Sequence, residues 1–154
     1  MATEPERDIV WMDVLDAEAC WRLLAEAPLG RVGFVTAGRP MVLPVNHVVD
    51  ERTVVFRTAP TSPLGQLRPG QPVSFEVDVA DPERLVGRSA VVAGEVEAVP
   101  PRRRRALAVG GPRPWAGGDR ELWWCIRPMS VSGRVISRHR RQPDGTFLPF
   151  LAPG

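Results

Sequence analysis

The sequence predicts a mainly β (α+β) fold, in which about six antiparallel strands form a small barrel with short helices at its edges. The 154 residues include 17 prolines and 14 glycines, which indicates frequent turns and short strands. Several segments alternate apolar and polar residues, as strands with one buried face do. Strands and helices do not alternate regularly, and no glycine-rich phosphate motif occurs in a matching context. The sequence therefore disfavours a parallel nucleotide-binding sheet.

The first sixty residues indicate a helix followed by three strands. Residues 1–12 are expected to form a lead-in without regular structure. Asp13 or Asp16 caps a predicted helix that runs to about Ala27, because apolar residues recur there at spacings near four. The three strands are predicted at 31–36, 41–49 and 53–58, with short turns between them.

The rest of the chain supplies further strands, a loop and a tail. Ser62 and Pro63 suit the N-cap and first position of a short helix. Gly94 indicates a bulge or a close backbone approach. Strands are predicted at 73–79, 89–99, 122–126 and 131–136, the last two separated by Pro128, with a helix at 101–109 and a flexible loop at 110–118. The predicted divisions are a lead-in at 1–12, a barrel domain at 13–137 and a basic, proline-rich, poorly ordered tail at 138–154.

Composition argues against several classes of protein. The net charge is only +2, and the arginine clusters at 102–105 and 138–141 lack aromatic neighbours, so no nucleic-acid partner is expected. No apolar run approaches the roughly 18 residues that span a bilayer, and the N-terminus does not resemble a signal peptide. We therefore expect no membrane association and a soluble, cytoplasmic protein. Cys20 and Cys125 stand far apart, which predicts buried thiols rather than a metal site or a disulfide.

The hairpin region from Arg39 to Leu67 carries the strongest functional signal. Arg57, Thr58 and Ser62 follow one another where a strand ends and a short helix begins. One fixed cation and two hydroxyl donors suit a phosphate dianion, although Arg57 and Thr58 also fit an exposed strand end.

The strand before it contains Asn46 and His47 among apolar residues. A buried Asn46 needs a hydrogen-bond partner, which favours a ligand or the backbone. His47 suits either a proton donor beside a ligand or a histidine with one structural hydrogen bond. Trp115 is the best candidate for a stacking aromatic because glycine and proline surround it, whereas Trp123 and Trp124 are more typical of core or interface residues.

Four motifs in order resemble the pyridoxamine 5'-phosphate oxidase-like flavoproteins, the FMN-binding split-barrel superfamily. The similarity is greatest to its actinobacterial and nitroimidazole-resistance-type branch and covers about residues 13–137. The motifs are L-L-A-E-A-P-L-G-R-V-G-F-V (23–35), R-P-M-V-L-P-V-N-H-V-V-D (39–50), V-F-R-T-A-P-T-S (55–62) and P-V-S-F-E-V-D (72–78), with I-R-P-M-S-V-S-G-R-V-I (126–136) as a closing strand.

The resemblance implies a six-stranded antiparallel split barrel that forms a homodimer, with FMN in each of two clefts at the interface. By position in the motifs, one strand runs along the flavin ring, a second segment holds the phosphate, and two further residues contact or cover the flavin. These are Pro44, Val45, Asn46 and His47 for the strand, Arg57, Thr58 and Ser62 for the phosphate, and Ser89 and Trp115 for the rest. No metal ligand is implied.

One position departs from the family pattern. Many relatives have Lys or Arg directly after the serine of the phosphate loop, where this chain has Pro63. Losing one charge-assisted hydrogen bond costs about 1.5–3 kcal/mol, and Arg68 is positioned to compensate for it.

The resemblance implies an FMN-dependent oxidoreductase acting on an unidentified small molecule. A deazaflavin-dependent reductase and a non-catalytic barrel that binds flavin, haem or a metabolite are the alternatives. The short chain lacks a second phosphate cluster, which disfavours pyridoxamine phosphate itself as the substrate.

Overall fold

A computed structural model describes residues 9–141 and 146–149 of the chain. Eight strands, two α-helices and one 3-10 turn make up this part. In chain order they are β1 (Ile9–Leu15), α1 (Ala17–Glu26), β2 (Leu29–Thr36), β3 (Arg39–Asp50), β4 (Thr53–Thr58), the 3-10 turn (Pro63–Gln66), β5 (Pro72–Asp81), β6 (Val86–Ala98), α2 (Pro101–Ala106), β7 (Leu122–Arg141) and β8 (Phe147–Pro149).

Six of the strands close into an antiparallel barrel. Around the ring they run β7, β4, β3, β2, β5 and β6, and β6 pairs again with β7. Strands β1 and β8 both pair with β7 outside this ring. The predicted mainly β fold with a small antiparallel barrel and short peripheral helices is therefore confirmed.

Tight turns join β2 to β3 and β3 to β4. Ala37 and Gly38 form the first turn, and Glu51 and Arg52 the second, all four with positive φ angles. Two-residue turns of this kind match the twist of paired strands, which explains why both hairpins keep a regular register. The register of the β3–β4 hairpin determines which residues of the site lie side by side.

The barrel interior and α1 form one apolar core. Phe56 and Phe75 are fully buried in it. Helix α1 begins where the Asp16 carboxylate, the second of the two predicted caps, accepts a hydrogen bond from the Ala19 N–H at 2.7 Å. The helix packs against β3, β5, β6 and β7, which lie on different sides of the ring, so it covers one opening of the barrel.

Helix α2 covers part of the outer surface of the barrel. A second apolar cluster, formed by Val55, Val99 and Cys125, lies beneath Leu107 at the end of α2. The Arg103 guanidinium donates to the Asp50 carboxylate at 2.8 Å and to the Thr53 hydroxyl at 2.6 Å, which fastens α2 to the β3–β4 turn. Both cysteines are free and buried, as predicted.

Two predictions about the ends of the chain were wrong. Residues 9–12, assigned to the lead-in, belong to β1, which pairs with β7. Residues 137–141, assigned to a poorly ordered tail or its border, continue β7 and pair with β1 and β8. The remaining tail residues, apart from 146–149, lie outside the described part of the chain.

Strand β7 also runs through Pro128 without a break, where an interruption was predicted. A register shift after Ala93 opposes Gly94 to Pro128 and leaves Met129 as an extra residue, so the proline lies in a β-bulge. A Cβ atom on Gly94 would lie 2.1 Å from the Arg127 carbonyl oxygen. The close backbone approach predicted at Gly94 is thus confirmed.

Among the described residues, neither helix has the length and apolar character that spanning a bilayer requires.

Candidate functional site

Consecutive residues of β3 face opposite sides of the barrel wall. Val45 and His47 point inward and are buried, whereas Pro44 and Asn46 lie on the outer surface. This follows from the two-residue period of a strand. Of the four residues predicted to run along a ring, only Pro44 and Asn46 therefore present side chains to an outside ligand, while Val45 and His47 can offer it only backbone groups.

His47 belongs to the core. Its Nε2 lies 2.6 Å from the Leu24 carbonyl oxygen, which makes Nε2 the protonated nitrogen, and its ring packs edge-on against Phe75. Burial, the larger effect, lowers the pKa of His47, and the hydrogen bond to Leu24 partly opposes it. Of the two interpretations, the structure matches the one in which His47 makes a single structural hydrogen bond.

The neighbouring strand β4 divides its residues in the same way. Phe56 and Thr58 point inward and are buried, and Arg57 lies on the outer surface. The Arg57 Nε donates to the Arg120 carbonyl at 3.1 Å, and the guanidinium carbon lies 4.9 Å from the centre of the Trp123 ring. The guanidinium is thus held at one edge and on one face, while its two terminal NH2 groups make no hydrogen bond within the described part of the chain.

The two predicted hydroxyl groups bond to each other. The Thr58 Oγ1 and Ser62 Oγ atoms lie 2.6 Å apart, and Ser62 Oγ also accepts a hydrogen bond from the Gly65 N–H at 3.1 Å. If Thr58 donates in this pair, Ser62 keeps its own hydroxyl hydrogen for an outside acceptor. Because Thr58 is fully buried, it is suited to orient Ser62 rather than to contact a ligand itself. Within the described residues, neither hydroxyl is hydrogen-bonded to Arg57.

One row of side chains crosses the outer surface of β3, β4 and β7, and we call it the polar row. It consists of Asn46, Arg57 and Trp123. Arg57 pairs with Trp123, and the register of the β3–β4 hairpin, continued by one residue beyond His47 and Phe56, sets Asn46 beside Arg57. The neighbouring outer row, formed by Val48, Val55 and Cys125, is the one covered at α2. The polar row is therefore the next outer row after the one that α2 covers.

The segment between α2 and β7, residues 107–121, meets this polar row at two points, and we call it the strap. The Trp115 N–H donates to Asn46 Oδ1 at 2.8 Å, and Asn46 Nδ2 donates in turn to the Pro28 carbonyl at 2.9 Å. The Arg120 carbonyl is the acceptor for Arg57. The Trp115 side chain is 72% exposed, so it is free to lie over a bound molecule.

Ser89 lies away from this row. It pairs with Arg134 on β7, eleven residues along the strand from Trp123, the partner of Arg57. At about 3.3 Å per residue, this is roughly 36 Å along the strand. Ser89 lines a shallow cleft of about 170 Å³ together with Asp78 and Arg134. Within one chain, the structure therefore does not bring Ser89 together with the other predicted residues.

Pro63 and Arg68 occupy the two ends of the loop after β4. Pro63 takes the first position of the 3-10 turn, which suits its fixed φ angle and missing N–H. The Arg68 side chain is exposed and makes no hydrogen bond in the described residues, so its charge is available near the turn.

A separate cleft of about 630 Å³ crosses the outer surface of β2, β3, β5, β6 and β7. Its floor is a row of small side chains that oppose one another across the strands, and Val35, Val42 and Met129 are the exposed apolar residues at its edges. The row consists of Gly33, Ser74, Ala93 and Ser130. None of the predicted site residues lines this cleft.

Sequence reasoning missed two parts of the site. The Arg120 carbonyl and the ring of Trp123 orient Arg57. Arg120 was assigned no role, and Trp123 was assigned to the core or an interface. The position of Trp123 opposite Arg57 depends on strand pairing over a long sequence distance, which no local motif reports. The opposite orientation of Arg57 and Thr58 was available from strand alternation.

The polar row and the two loops beside it have the chemistry of a binding surface. Arg57 offers a fixed guanidinium, the loop after β4 a serine hydroxyl and the strap an exposed tryptophan, and these groups suit a molecule with an anionic group and a flat ring. No group of three or more His, Cys, Asp or Glu residues that would hold a metal ion occurs among the residues described.

Comparisons with known proteins identify relatives over most of the chain. Residues 16–135 match the model of the pyridoxamine 5'-phosphate oxidase family. The uncharacterised protein Rv0080 of Mycobacterium tuberculosis is 33% identical over 134 residues, which cover 84% of this chain and 88% of that protein.

Solved structures share the fold. The FAD binding protein of Mycobacterium smegmatis is 28% identical, with a TM-score of 0.63, over 81% of this chain and 98% of that one. A conserved protein of unknown function from Corynebacterium diphtheriae is also 28% identical, with a TM-score of 0.66, over 80% of this chain and 96% of that one.

Proposed function

The chain belongs to the pyridoxamine 5'-phosphate oxidase family, and on that premise we propose that it is a flavin-dependent oxidoreductase acting on a small molecule. The flavin we propose is FMN, bound on the outer surface of β3 and β4 beneath the strap. The FAD binding protein of Mycobacterium smegmatis, 28% identical to this chain, supports a flavin as the cofactor and makes FAD the second candidate.

The observation that carries the proposal is that the Arg57 side chain is held in place while part of its guanidinium stays available. Its side chain is fixed by the Arg120 carbonyl and the Trp123 ring, and its two terminal NH2 groups make no hydrogen bond in the described residues. A prearranged arginine fork binds a phosphate through two parallel hydrogen bonds at little cost in side-chain entropy. The donor set thus fits the phosphate of FMN, with Ser62, oriented by Thr58, as a further donor.

Residues beside Arg57 are proposed to contact the ring of the flavin. Pro44 and Asn46 present their side chains on the outward face of β3, and the exposed Trp115 is hydrogen-bonded through its N–H to Asn46, next to this face. When bound, the flavin supplies the hydride or electron transfer, and the protein's part is to orient it and exclude water.

A homodimer is part of the proposal. The 630 Å³ cleft has exposed apolar edges, with Val42 64% and Met129 73% accessible, and its floor of small side chains allows close approach of a second copy. Ser89 would then contact the flavin held mainly by the partner, which accounts for its distance from Arg57. The free, buried thiols suit the reducing cytoplasm, where we place the protein.

The experiment that tests the proposal is the visible absorbance spectrum of the purified protein, with any bound small molecule identified by mass. We expect a flavin spectrum, either as purified or after incubation with FMN. Protein that remains colourless after incubation with excess FMN and with FAD would overturn the proposal. Saturable binding of a deazaflavin in preference to FMN would replace FMN by that cofactor.

Catalysis is tested separately from binding. A reduced, flavin-loaded sample of an oxidoreductase is expected to be reoxidised by nitroaromatic, quinone or oxygen acceptors. A sample that binds flavin but is reoxidised by none of them would identify a non-catalytic carrier or sensor instead.

A further inference from the structure

We infer that Asn46 is a positioning residue, which fastens the strap of residues 107–121 and thereby holds Arg57 in place for an anion. The inference rests on the proposed function only for the identity of that anion.

Both the NH2 group and the oxygen of the Asn46 amide form a hydrogen bond, and each bond is to a backbone group. Its NH2 group donates to the Pro28 carbonyl just before β2, and its oxygen accepts the Trp115 N–H from the middle of the strap. An amide that lies on the outer surface of a strand and joins two separate segments acts as a fastening between them. Asn46 therefore ties the strap to the barrel wall at a point where no regular secondary structure does so.

The second contact of the strap orients Arg57. The Arg120 carbonyl, five residues after Trp115, accepts the Arg57 Nε hydrogen bond at 3.1 Å while the Trp123 ring supports the guanidinium from one face. An exposed arginine otherwise samples many rotamers, and these two contacts remove most of that freedom. Because the strap uses only Nε, the two terminal NH2 groups are left to bind an anion without displacing it.

The two fastenings depend on each other. Asn46 and Arg57 lie side by side in the polar row, and only four residues separate Trp115 from Arg120. Freeing the strap at Trp115 therefore raises the freedom of the Arg120 carbonyl, and the Arg57 side chain loses its acceptor with it. In this way Asn46 affects anion binding without touching the anion.

The test uses chymotrypsin cleavage after Trp115 in the full-length, ligand-free protein, followed by mass. Asn46→Ala removes the fastening, and we expect cleavage to rise about fivefold, the change that loss of one neutral hydrogen bond allows. Asn46→Asp is the graded control, because its carboxylate still accepts the Trp115 N–H but can only oppose the Pro28 carbonyl oxygen. We expect its cleavage rate to rise less than that of Asn46→Ala.

Arg57→Ala completes a double-mutant cycle on the same protein. If the Arg57 contact forms only when Asn46 has fastened the strap, the double variant is cleaved about as fast as Asn46→Ala alone. A double variant whose rate equals the product of the two single effects would show independent fastenings and overturn the inference. So would unchanged cleavage in Asn46→Ala, or equal acceleration in Asn46→Asp.

Flavin binding provides a second readout. Asn46→Ala frees Trp115 for both flavins, but only FMN also loses the fixed Arg57, so we expect its affinity to fall about fivefold more than that of riboflavin. Equal losses for both flavins would mean that Asn46 acts only beside the ring and would contradict the inference. If the wild-type protein binds neither FMN nor FAD, the proposed function fails, whereas the cleavage cycle on ligand-free protein still decides the role of Asn46.

Discussion

The inner and outer faces of the β3–β4 hairpin differ although their residues alternate along the same two strands. On the inner face, His47 and Phe56 are buried in the barrel core. On the outer face, Asn46 and Arg57 hold a loop and present polar groups. Residues that stabilise the core and residues proposed to bind a ligand thus alternate along this hairpin, so substitutions at neighbouring positions should have separable effects.

The largest effect is expected for Phe56→Ala on the inner face. Phe56 is fully buried, and removing a buried phenyl ring costs about 3–5 kcal/mol of unfolding free energy. Arg57→Ala, one residue away on the outer face, should change that free energy by less than about 1 kcal/mol. Denaturant unfolding of both variants measures the contrast, and comparable losses would contradict the division between the two faces.

A smaller effect is expected for two glycines of β2 that face opposite sides. A Cβ atom on Gly30 would lie 2.1 Å from the Phe75 ring, whereas one on Gly33 would have no neighbour closer than 3.8 Å. Gly30→Ala should therefore cost about 1–3 kcal/mol through overpacking. Gly33→Ala meets no atom of its own chain closer than 3.8 Å, so within one chain it should cost less than Gly30→Ala. Thermal or denaturant unfolding compares the pair, and a similar response from both would be inconsistent with the inward orientation of Gly30.

The smallest effect is the pH dependence that His47 gives to the inner face. Because burial lowers its pKa below the ordinary value of 6.5, the unfolded chain binds a proton before the folded one does. Stability is thus fully present above about pH 6.5 and falls as the pH drops below it, by up to about 1.4 kcal/mol per pH unit.

His47→Gln tests this dependence, since glutamine retains a donor for the Leu24 carbonyl but does not titrate. Unfolding free energies at about pH 7.5 and 5.5 should fall more with acid in the wild type than in the variant. An identical fall in both would mean that His47 is not the group responsible.

Much of the fold was predictable because its signals are local. Strand β4 was predicted with its observed bounds, since alternation and the turn residues before it are enough to define a short strand. The helix cap, predicted at Asp13 or Asp16, and the bulge or close approach predicted at Gly94 also depended on single residues, and the structure shows the cap at Asp16 and both features at Gly94.

The misplaced elements depend on distant partners. Strand β1 forms because β7 extends far enough to pair with it, which residues 9–15 do not indicate by themselves. Likewise, Pro128 does not end β7 because the register of β6 shifts opposite it. In both places tertiary pairing overrides the local pattern.

Prediction of the site shows the same limit of local patterns. The sequence singled out the residues from Pro44 to Ser62 as one group, without asking which face of the sheet each side chain occupies. His47 and Thr58, which point inward, were therefore grouped with Asn46 and Arg57, which point outward. The contacts that hold Arg57 come from Arg120 and Trp123, more than sixty residues later, and only the folded chain reveals them.

The most direct test of the central claim is a pair of titrations, FMN and riboflavin, on the wild type and on Arg57→Ala. If the outer face of the hairpin holds the flavin phosphate, the wild type binds FMN more tightly than riboflavin, and Arg57→Ala loses about 1.5–3 kcal/mol of FMN binding while riboflavin binding barely changes. Equal losses for both flavins, or no preference for FMN in the wild type, would contradict the assignment of Arg57 to the phosphate.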